Sequence, residues 1–258
     1  VTVKLVPDTN ADKRIDPATK RLVRNSSEAV LNVFDEFAIE AALQLKEKLN
    51  DGSTVTIVSM TPETGKEIVR KALAMGADNA VMISDPGAAG SDVWGTAYAL
   101  AAAIRKTGFD LVVTGTQSTD AGTGELPGAL AEYLGVPGLT NARKIEYTDG
   151  RIRAQRETDT GYQNISAPLP VLVSITKSGA EPRYPSLKGI MGAKKKTIAI
   201  LKLADLALTK SVGGDGAKVE VTALASPPAR GKGQVVTAAD GADGAKRIVD
   251  FLKERKLL

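Results

Sequence analysis

Four short apolar runs rich in β-branched residues recur through the first half of the chain: residues 2–6, 54–60 (TVTIVSM), 79–83 (NAVMI) and 111–115 (LVVTG). The runs at 54–60 and 111–115 read as strands covered on both faces, as in a parallel sheet, and those at 2–6 and 79–83 as further strands. Between them lie stretches with apolar residues at helical spacing. Val33–Leu49 carries Phe34, Phe37, Ala38, Ala41, Leu45 and Leu49, and residues 67–75 carry Ile68, Ala72 and Met75, with Pro62 ahead and Gly76 behind as a stop. Asp92 caps an Ala-rich helix reaching about Thr107, and another helix starts near Leu126. Strands alternating with helices of this length predict an α/β fold with a mostly parallel sheet.

The pattern changes after Leu134. Residues 140–147, 151–157, 161–166 and 171–175 read as strands joined by short turns, with Asp149-Gly150 the clearest hairpin signal, and all four are assigned to an antiparallel extension of the sheet. A smaller hairpin excursion is expected around Asp16-Pro17-Ala18-Thr19. From residue 202 periodicity is lost, and Gly213-Gly214-Asp215-Gly216, Pro227-Pro228 and Gly231-Lys232-Gly233 interrupt the chain. The division is therefore an α/β domain over 1–201 and an extended arm over 202–258. Residues 243–256 close the arm as an amphipathic helix with Ile248, Phe251 and Leu252 on one face, to dock on a partner or pack back on its own domain.

What is absent narrows the chemistry. There is no Cys and no His in 258 residues, which excludes disulfides, Cys nucleophiles, Ser-His triads and the usual Cys/His metal or iron–sulfur sites. No catalytic residue and no metal site is assigned. The net charge of +4 comes with a single Trp and 4% aromatics, which gives no stacking platform for nucleic acid. No apolar run approaches the roughly 20 residues of a membrane-spanning helix, and the opening residues read as a strand rather than a signal peptide.

The most site-like segment follows the strand at 111–115: Thr116-Gln117-Ser118-Thr119-Asp120-Ala121-Gly122-Thr123-Gly124-Glu125-Leu126-Pro127-Gly128. It leaves the carboxyl end of a buried strand and enters a helix N-terminus, where open α/β sheets bind ligands and backbone N–H groups attract phosphate. It is neither a Walker A loop nor a GxGxxG fingerprint, and an ordinary βα loop accounts for the same residues. Asn32 is placed to cap the first long helix, with Asp35 and Glu36 offsetting its dipole. Met60 ends a strand at the same edge of the sheet, as pocket or as core. Farther on, Glu181-Pro182-Arg183-Tyr184-Pro185-Ser186-Leu187-Lys188-Gly189-Ile190-Met191-Gly192-Ala193-Lys194-Lys195-Lys196 sets Leu187, Ile190 and Met191 beside a basic run. That suits a docking surface, and equally a short helix on the core with a solvated basic end.

Together, VKLVPDT near the start, KALAMGAD (71–78), RETDTG (156–161) and EPRYPSLKGIMGAKKK (181–196) resemble the beta subunit of electron-transfer flavoproteins, in order and over about residues 1–208. The resemblance implies a Rossmann-like sheet with an antiparallel extension and a C-terminal arm ending in a helix, wrapped on an alpha subunit in an obligate heterodimer. It implies an electron carrier without catalysis of its own, FAD mainly on the alpha subunit, and one structural AMP here. Around that AMP it places Thr2, Asn32, Val33, Phe34, Asp35, Met60 and the loop from Ser118 through Gly128 to Ala129. It puts Glu157 at the interface with the mobile FAD domain. Leu187 becomes the anchor for flavin-dependent dehydrogenases, with Ile190, Met191, Lys194, Lys195 and Lys196 around it, and a downstream oxidoreductase receives the electrons. It further implies no nucleic acid, no membrane insertion, and the cytoplasm of a prokaryote or the mitochondrial matrix of a eukaryote.

Two positions depart from the family pattern. The loop carries small residues at Ala121, Gly122, Thr123 and Gly124 where other members have larger polar ones, so individual side-chain contacts do not transfer. Thr9 stands where some members carry an aromatic near the flavin. Two further readings stay open: a bifurcating-type subunit with a second FAD in place of AMP, and a free-standing adenine-nucleotide sensor or hydrolase.

Overall fold

A computed structural model describes residues 1–11, 14–24, 29–225, 231 and 233–258. In chain order the elements are β1 (Leu5–Pro7), β2 (Ile15–Asp16), β3 (Arg21–Leu22), β4 (Ala29–Leu31), α1 (Val33–Leu49), β5 (Thr56–Met60), α2 (Lys66–Ala74), β6 (Asn79–Ile83), α3 (Val93–Thr107), β7 (Leu111–Gly115) and α4 (Leu126–Leu134). Then follow β8 (Gly138–Thr148), β9 (Arg151–Thr158), β10 (Gly161–Pro168), β11 (Val171–Ile175), α5 (Leu187–Lys195), β12 (Ile198–Leu201) and α6 (Gly241–Glu254). The chain forms two compact units, Val1–Val221 and Thr222–Leu258.

In the first unit β12, β6 and β5 form one parallel set, and β7, β11, β8, β9 and β10 form a mixed one. Residues 1–3 bridge the two sets. Thr2 pairs in parallel with Val58, Val3 N–H donates to Val58 O at 3.0 Å, and Thr2 N–H donates to Val113 O at 3.0 Å. The first strand therefore lies between β5 and β7, and the sheet winds outward from it in both directions. In an open α/β sheet the ligand crevice lies beyond the carboxyl ends of the strands where the winding reverses, which here is between the first strand and β7.

The two faces separate cleanly. Ile57, Val113, Val171 and Val173 pack with residues of α1 and α2, while Val58, Val112 and Leu172 pack with α3 and α4. Adjacent residues of one strand thus serve opposite cores, which is why these runs carry no polar alternation. Asp78 of the KALAMGAD motif ties two elements together: its carboxylate takes Lys46 Nζ at 2.7 Å and Val55 N–H at 2.7 Å.

Two expectations need correction, and one strand was missed. The run at 171–175 is not antiparallel: β11 is parallel to both β7 and β8 and lies between them. All five of its residues are buried, the signature of a central parallel strand, and only β9 and β10 continue antiparallel. β12 is a strand that the sequence pattern does not announce; its IAIL run pairs parallel with β6. The arm also begins later than residue 202. Leu206 and Val212 are buried with α3 and α4, Thr209 N–H donates to Tyr98 Oη at 2.9 Å, and Gly213 N–H donates to Ser91 Oγ at 2.8 Å, so residues 202–221 belong to the first unit. Polar anchoring replaces apolar periodicity there. Pro227, Pro228 and Lys232, cited as interruptions of the arm, lie outside the described residues.

The Asp149-Gly150 hairpin forms as expected, with both residues at positive φ (52° and 73°) between β8 and β9. In the second unit α6 is capped by Asp240, whose carboxylate accepts from Asp243 N–H at 2.8 Å. None of its residues is buried, Ile248 and Phe251 included. No helix among the described residues is long and apolar enough to cross a membrane.

Candidate functional site

The crevice between the first strand and β7 is built by three segments: residue 4 at the end of the first strand, the first turn of α1, and the loop after β7. Asn32 sits at the N-cap position of α1, and its carbonyl accepts from Asp35 N–H at 2.9 Å. Its side chain does not cap the helix, contrary to the sequence reading. It reaches across the crevice instead, where Nδ2 donates to Gln117 O at 2.9 Å and Oδ1 accepts from Thr119 N–H at 3.2 Å. Asn32 is 1% exposed, so both ends of its amide are spent on fixing the loop.

Asp35 is buried beside it and accepts from Lys4 N–H at 2.7 Å and Asn32 Nδ2 at 2.9 Å. Burial pushes its carboxyl up to about 7, against the hydrogen bonds from Asn32 and from the backbone of Lys4 and Gly115. Its folded value exceeds the unfolded 3.8, so the linked stability is complete below that pH and is lost as pH rises through about 7. Urea unfolding should therefore show stability falling between about pH 4 and 7 by on the order of a few kcal/mol and levelling off above that, with Asp35→Asn flattening that slope. An unchanged slope in the variant would assign the titration to another group.

Gly115, the last residue of β7, permits this arrangement. A Cβ there would lie 2.5 Å from Asp35 Oδ1 and 2.8 Å from Phe34 Cβ, so only a bare backbone lets α1 begin this close to the strand. The loop itself is anchored through Asp120. Its carboxylate takes Lys4 Nζ at 2.8 Å, Arg24 Nη2 at 2.7 Å and Ala121 N–H at 2.8 Å, while Lys4 Nζ also donates to Ser118 Oγ at 3.2 Å. Burial opposes ionisation of Asp120, but the Lys4 ammonium and the hydrogen bonds from Lys4, Ser118 and Arg24 outweigh it and hold the carboxyl well below the usual carboxylate range.

Beyond Asp120 the backbone turns outward. Ala121, Gly122, Thr123, Gly124 and Glu125 are exposed, with Gly122 and Gly124 at φ +66° and +67°. Glu125 at the N-cap position of α4 contributes no side-chain hydrogen bond; Pro127 has no N–H and Ala129 N–H donates to Glu125 O at 3.1 Å, so the uncapped donors of the first turn are the Leu126 and Gly128 N–H groups. Thr119 Oγ1 is buried without a partner. A rigid loop, an uncapped helix N-terminus and an orphaned hydroxyl fit the phosphate and ribose of a nucleotide.

The structure brings Asn32, Asp35, Ser118, Thr119 and Asp120 into one hydrogen-bonded cluster, with Val33 and Phe34 on the adjoining first turn of α1. Thr2 and Met60 lie on the neighbouring strands, where Thr2 is buried and Met60 packs on the α3/α4 side. Sequence reasoning missed Lys4, Arg24 and Gly115. A lone Lys in an apolar strand was the available signal for the first; nothing local marks the other two.

Glu157 and the 187–196 segment sit on other elements. Glu157 is half-buried on β9 opposite Tyr162. Leu187, Ile190 and Met191 are 78%, 41% and 54% exposed on α5, and Tyr184 before them is 92% exposed. The segment is thus a short helix resting on α2 whose apolar side chains nevertheless face outward, which combines the two readings made from sequence. Lys194 and Lys195 are exposed, whereas Lys196 is half-buried and donates to Ala77 O, so it serves as a strut rather than as surface charge.

The electron transfer flavoprotein domain model matches residues 19–206. The electron transfer flavoprotein subunit beta of Mycobacterium tuberculosis is 41% identical over 263 residues, covering 100% of this chain and 98% of the relative. Its counterpart in Thermoanaerobacterium thermosaccharolyticum is 37% identical over 260 residues, with 100% and 98% covered. The caffeyl-CoA reductase-Etf complex subunit CarD of Acetobacterium woodii is 36% identical over 260 residues, again with 100% and 98% covered. The chain belongs to the electron transfer flavoprotein family. The mycobacterial and Thermoanaerobacterium relatives are beta subunits matched from end to end, so the likeness to electron transfer flavoproteins extends through the arm and α6 as well as the α/β unit.

Proposed function

We propose that the chain is the small subunit of a heterodimeric electron-transfer flavoprotein. In this reading it takes electrons from flavin-dependent dehydrogenases and passes them to a downstream oxidoreductase, with FAD held mainly by the alpha subunit. It has no catalytic activity of its own, and because the relatives are bacterial we place it in the cytoplasm. The observation that carries the proposal is the end-to-end match to beta subunits, joined to a crevice whose loop is pinned from three sides. The arrangement supports a structural AMP: loop and α4 N–H groups hold the phosphate, Asn32 and Asp120 keep the loop in place, and Thr2, Phe34 and Met60 border the site. When bound, AMP adds hydrogen-bonded contacts that stabilise the loop and does no redox chemistry.

Denaturing the purified heterodimer should release about one AMP per chain, as one crevice at one reversal point allows. The kinship with CarD, part of a caffeyl-CoA reductase–Etf complex, favours a second reading in which a further FAD fills this crevice. Two FAD per heterodimer and no AMP would decide for that reading, and release of neither nucleotide would sink both.

The exposed Leu187 supports docking by α5. Leu187→Ala should raise the Michaelis constant for the flavoprotein by roughly ten- to a hundredfold, with the flavin spectrum and melting temperature unchanged, because a side chain 78% exposed contributes little to the fold. A variant that melts lower yet docks normally would return the leucine to the core.

A further inference from the structure

The exposed apolar residues of the 184–191 segment are held by a device out of proportion to what they bury. Just before them, the Arg183 guanidinium grips Glu40 on α1 with both branches, Nε to Oε2 at 2.7 Å and Nη2 to Oε1 at 3.0 Å, and its own backbone N–H donates to Glu40 Oε2 at 3.1 Å. One α-helical heptad farther along α1, Glu47 takes Nη2 at 3.0 Å. Glu40 is 4% exposed and is fixed from its other side by Gln44 Nε2 at 2.8 Å. The far end of the segment is clamped too. Arg70 Nη1 donates to Ala193 O at 2.9 Å, and Gly189 lies so close to Ala74 that a Cβ would come within 2.4 Å of its carbonyl oxygen.

A buried ion pair is weak grounds for added stability, since desolvation offsets much of the attraction. Nor does the segment repay its ordering by burial: of α5 only Ala193 is buried. What the clamps do achieve is to hold Tyr184, Leu187, Ile190 and Met191 in one arrangement before any partner arrives. Ordering such side chains in advance removes an entropic cost from binding.

We infer that Arg183 is a positioning residue of the docking face: through Glu40 and Glu47 it fixes where Leu187 and its neighbours stand. This rests on the docking role given to α5 above. It assigns to α1 a part in partner recognition that no exposed residue of that helix carries itself.

The test uses the αβ heterodimer and a purified flavin-dependent dehydrogenase that reduces the wild-type protein. The double replacement Arg183→Met with Glu40→Leu exchanges the ion pair for apolar groups of similar volume, a change that leaves stability near wild type in comparable cases. It should raise KM for the flavoprotein about tenfold with kcat unchanged, and speed amide exchange over residues 184–191. In that background Leu187→Ala should add less than it does in the wild type, although Arg183 and Leu187 do not share a partner. Arg183→Lys, which keeps the charge and loses the fork, should fall between. An unchanged KM in a folded double variant, or effects of Arg183 and Leu187 that simply multiply, would overturn the inference. Should the double variant not fold, Arg183→Lys carries the test alone, and a wild-type KM there refutes it. A Leu187→Ala heterodimer that docks normally removes the docking role itself and the inference with it.

Discussion

Arg183→Ala should be among the most destabilising single substitutions on the surface of this protein, lowering the unfolding free energy by about 3 kcal/mol. The loss comes less from the contact removed than from what is left behind. Glu40 is 4% exposed in the intact protein, and its carboxylate, which had four partner atoms, loses both guanidinium bonds and keeps only Gln44 Nε2 and the backbone N–H of residue 183. Burial opposes its ionisation, and the Arg183 side chain and backbone, with Gln44, are what hold its carboxyl below the usual range. The loss falls at the low end of the range for uncovering a buried charge because the guanidinium itself is 34% exposed. For a domain of this size that is a fall of roughly 6–12 °C in melting temperature. Adding Glu40→Gln should restore most of it, since the amide tolerates burial without an ionic partner. A single variant that melts within a degree of wild type would mean that water already reaches Glu40.

The framework was legible because each of its causes is local. Runs such as LVVTG report burial on both faces directly, and Asp149-Gly150 dictates a hairpin through its own backbone preference. β11 misled because VLVSI follows two true antiparallel strands, and neighbourhood in sequence stood in for neighbourhood in space; its lack of alternation was the better guide. β12 is four residues long and half-covered, too short for periodicity to register. The arm boundary failed for a different reason: residues 202–221 are held by Ser91, Tyr98 and Asp92 through single polar contacts, which leave no pattern in composition.

The candidate site divides along the same line. Asn32, Asp35 and the loop after β7 could be marked from sequence because a helix start and a Gly-rich turn have local signatures. What holds them together could not, since Lys4 meets Asp120 across 116 positions of sequence and Arg24 meets it across 96. Asn32 shows how a sound local rule yields to a distant partner. A cap bond is worth about 1 kcal/mol, while its buried amide here satisfies two backbone groups of the loop that would otherwise be left without partners.

Gly115→Val should both destabilise the subunit and empty its crevice, and the order of causes can be followed atom by atom. The added Cβ would stand 2.5 Å from Asp35 Oδ1, 2.8 Å from Phe34 Cβ and 2.9 Å from the Phe34 carbonyl carbon. None of these is the free end of a flexible chain: Asp35 is buried and doubly bonded by donors, and the Phe34 carbonyl is helix backbone. The first turn of α1 must therefore move off β7, at about 1–3 kcal/mol for the overpacking. As it moves, Asn32 is drawn away from Gln117 O and Thr119 N–H, and the loop loses the amide that shapes it. Of the one AMP per heterodimer proposed for this crevice, well below one should be retained, and urea unfolding should shift by about 3 kcal/mol once the broken buried hydrogen bonds are included. Because the first carbon already makes the clash, Gly115→Ala should produce most of the effect. Gly192→Ala, on α5 away from the crevice with nothing within 4 Å of its Cβ, is the matched control and should behave as wild type in both assays. If Gly115→Ala and Gly192→Ala are indistinguishable, the close approach of α1 to β7 is not what sets the loop.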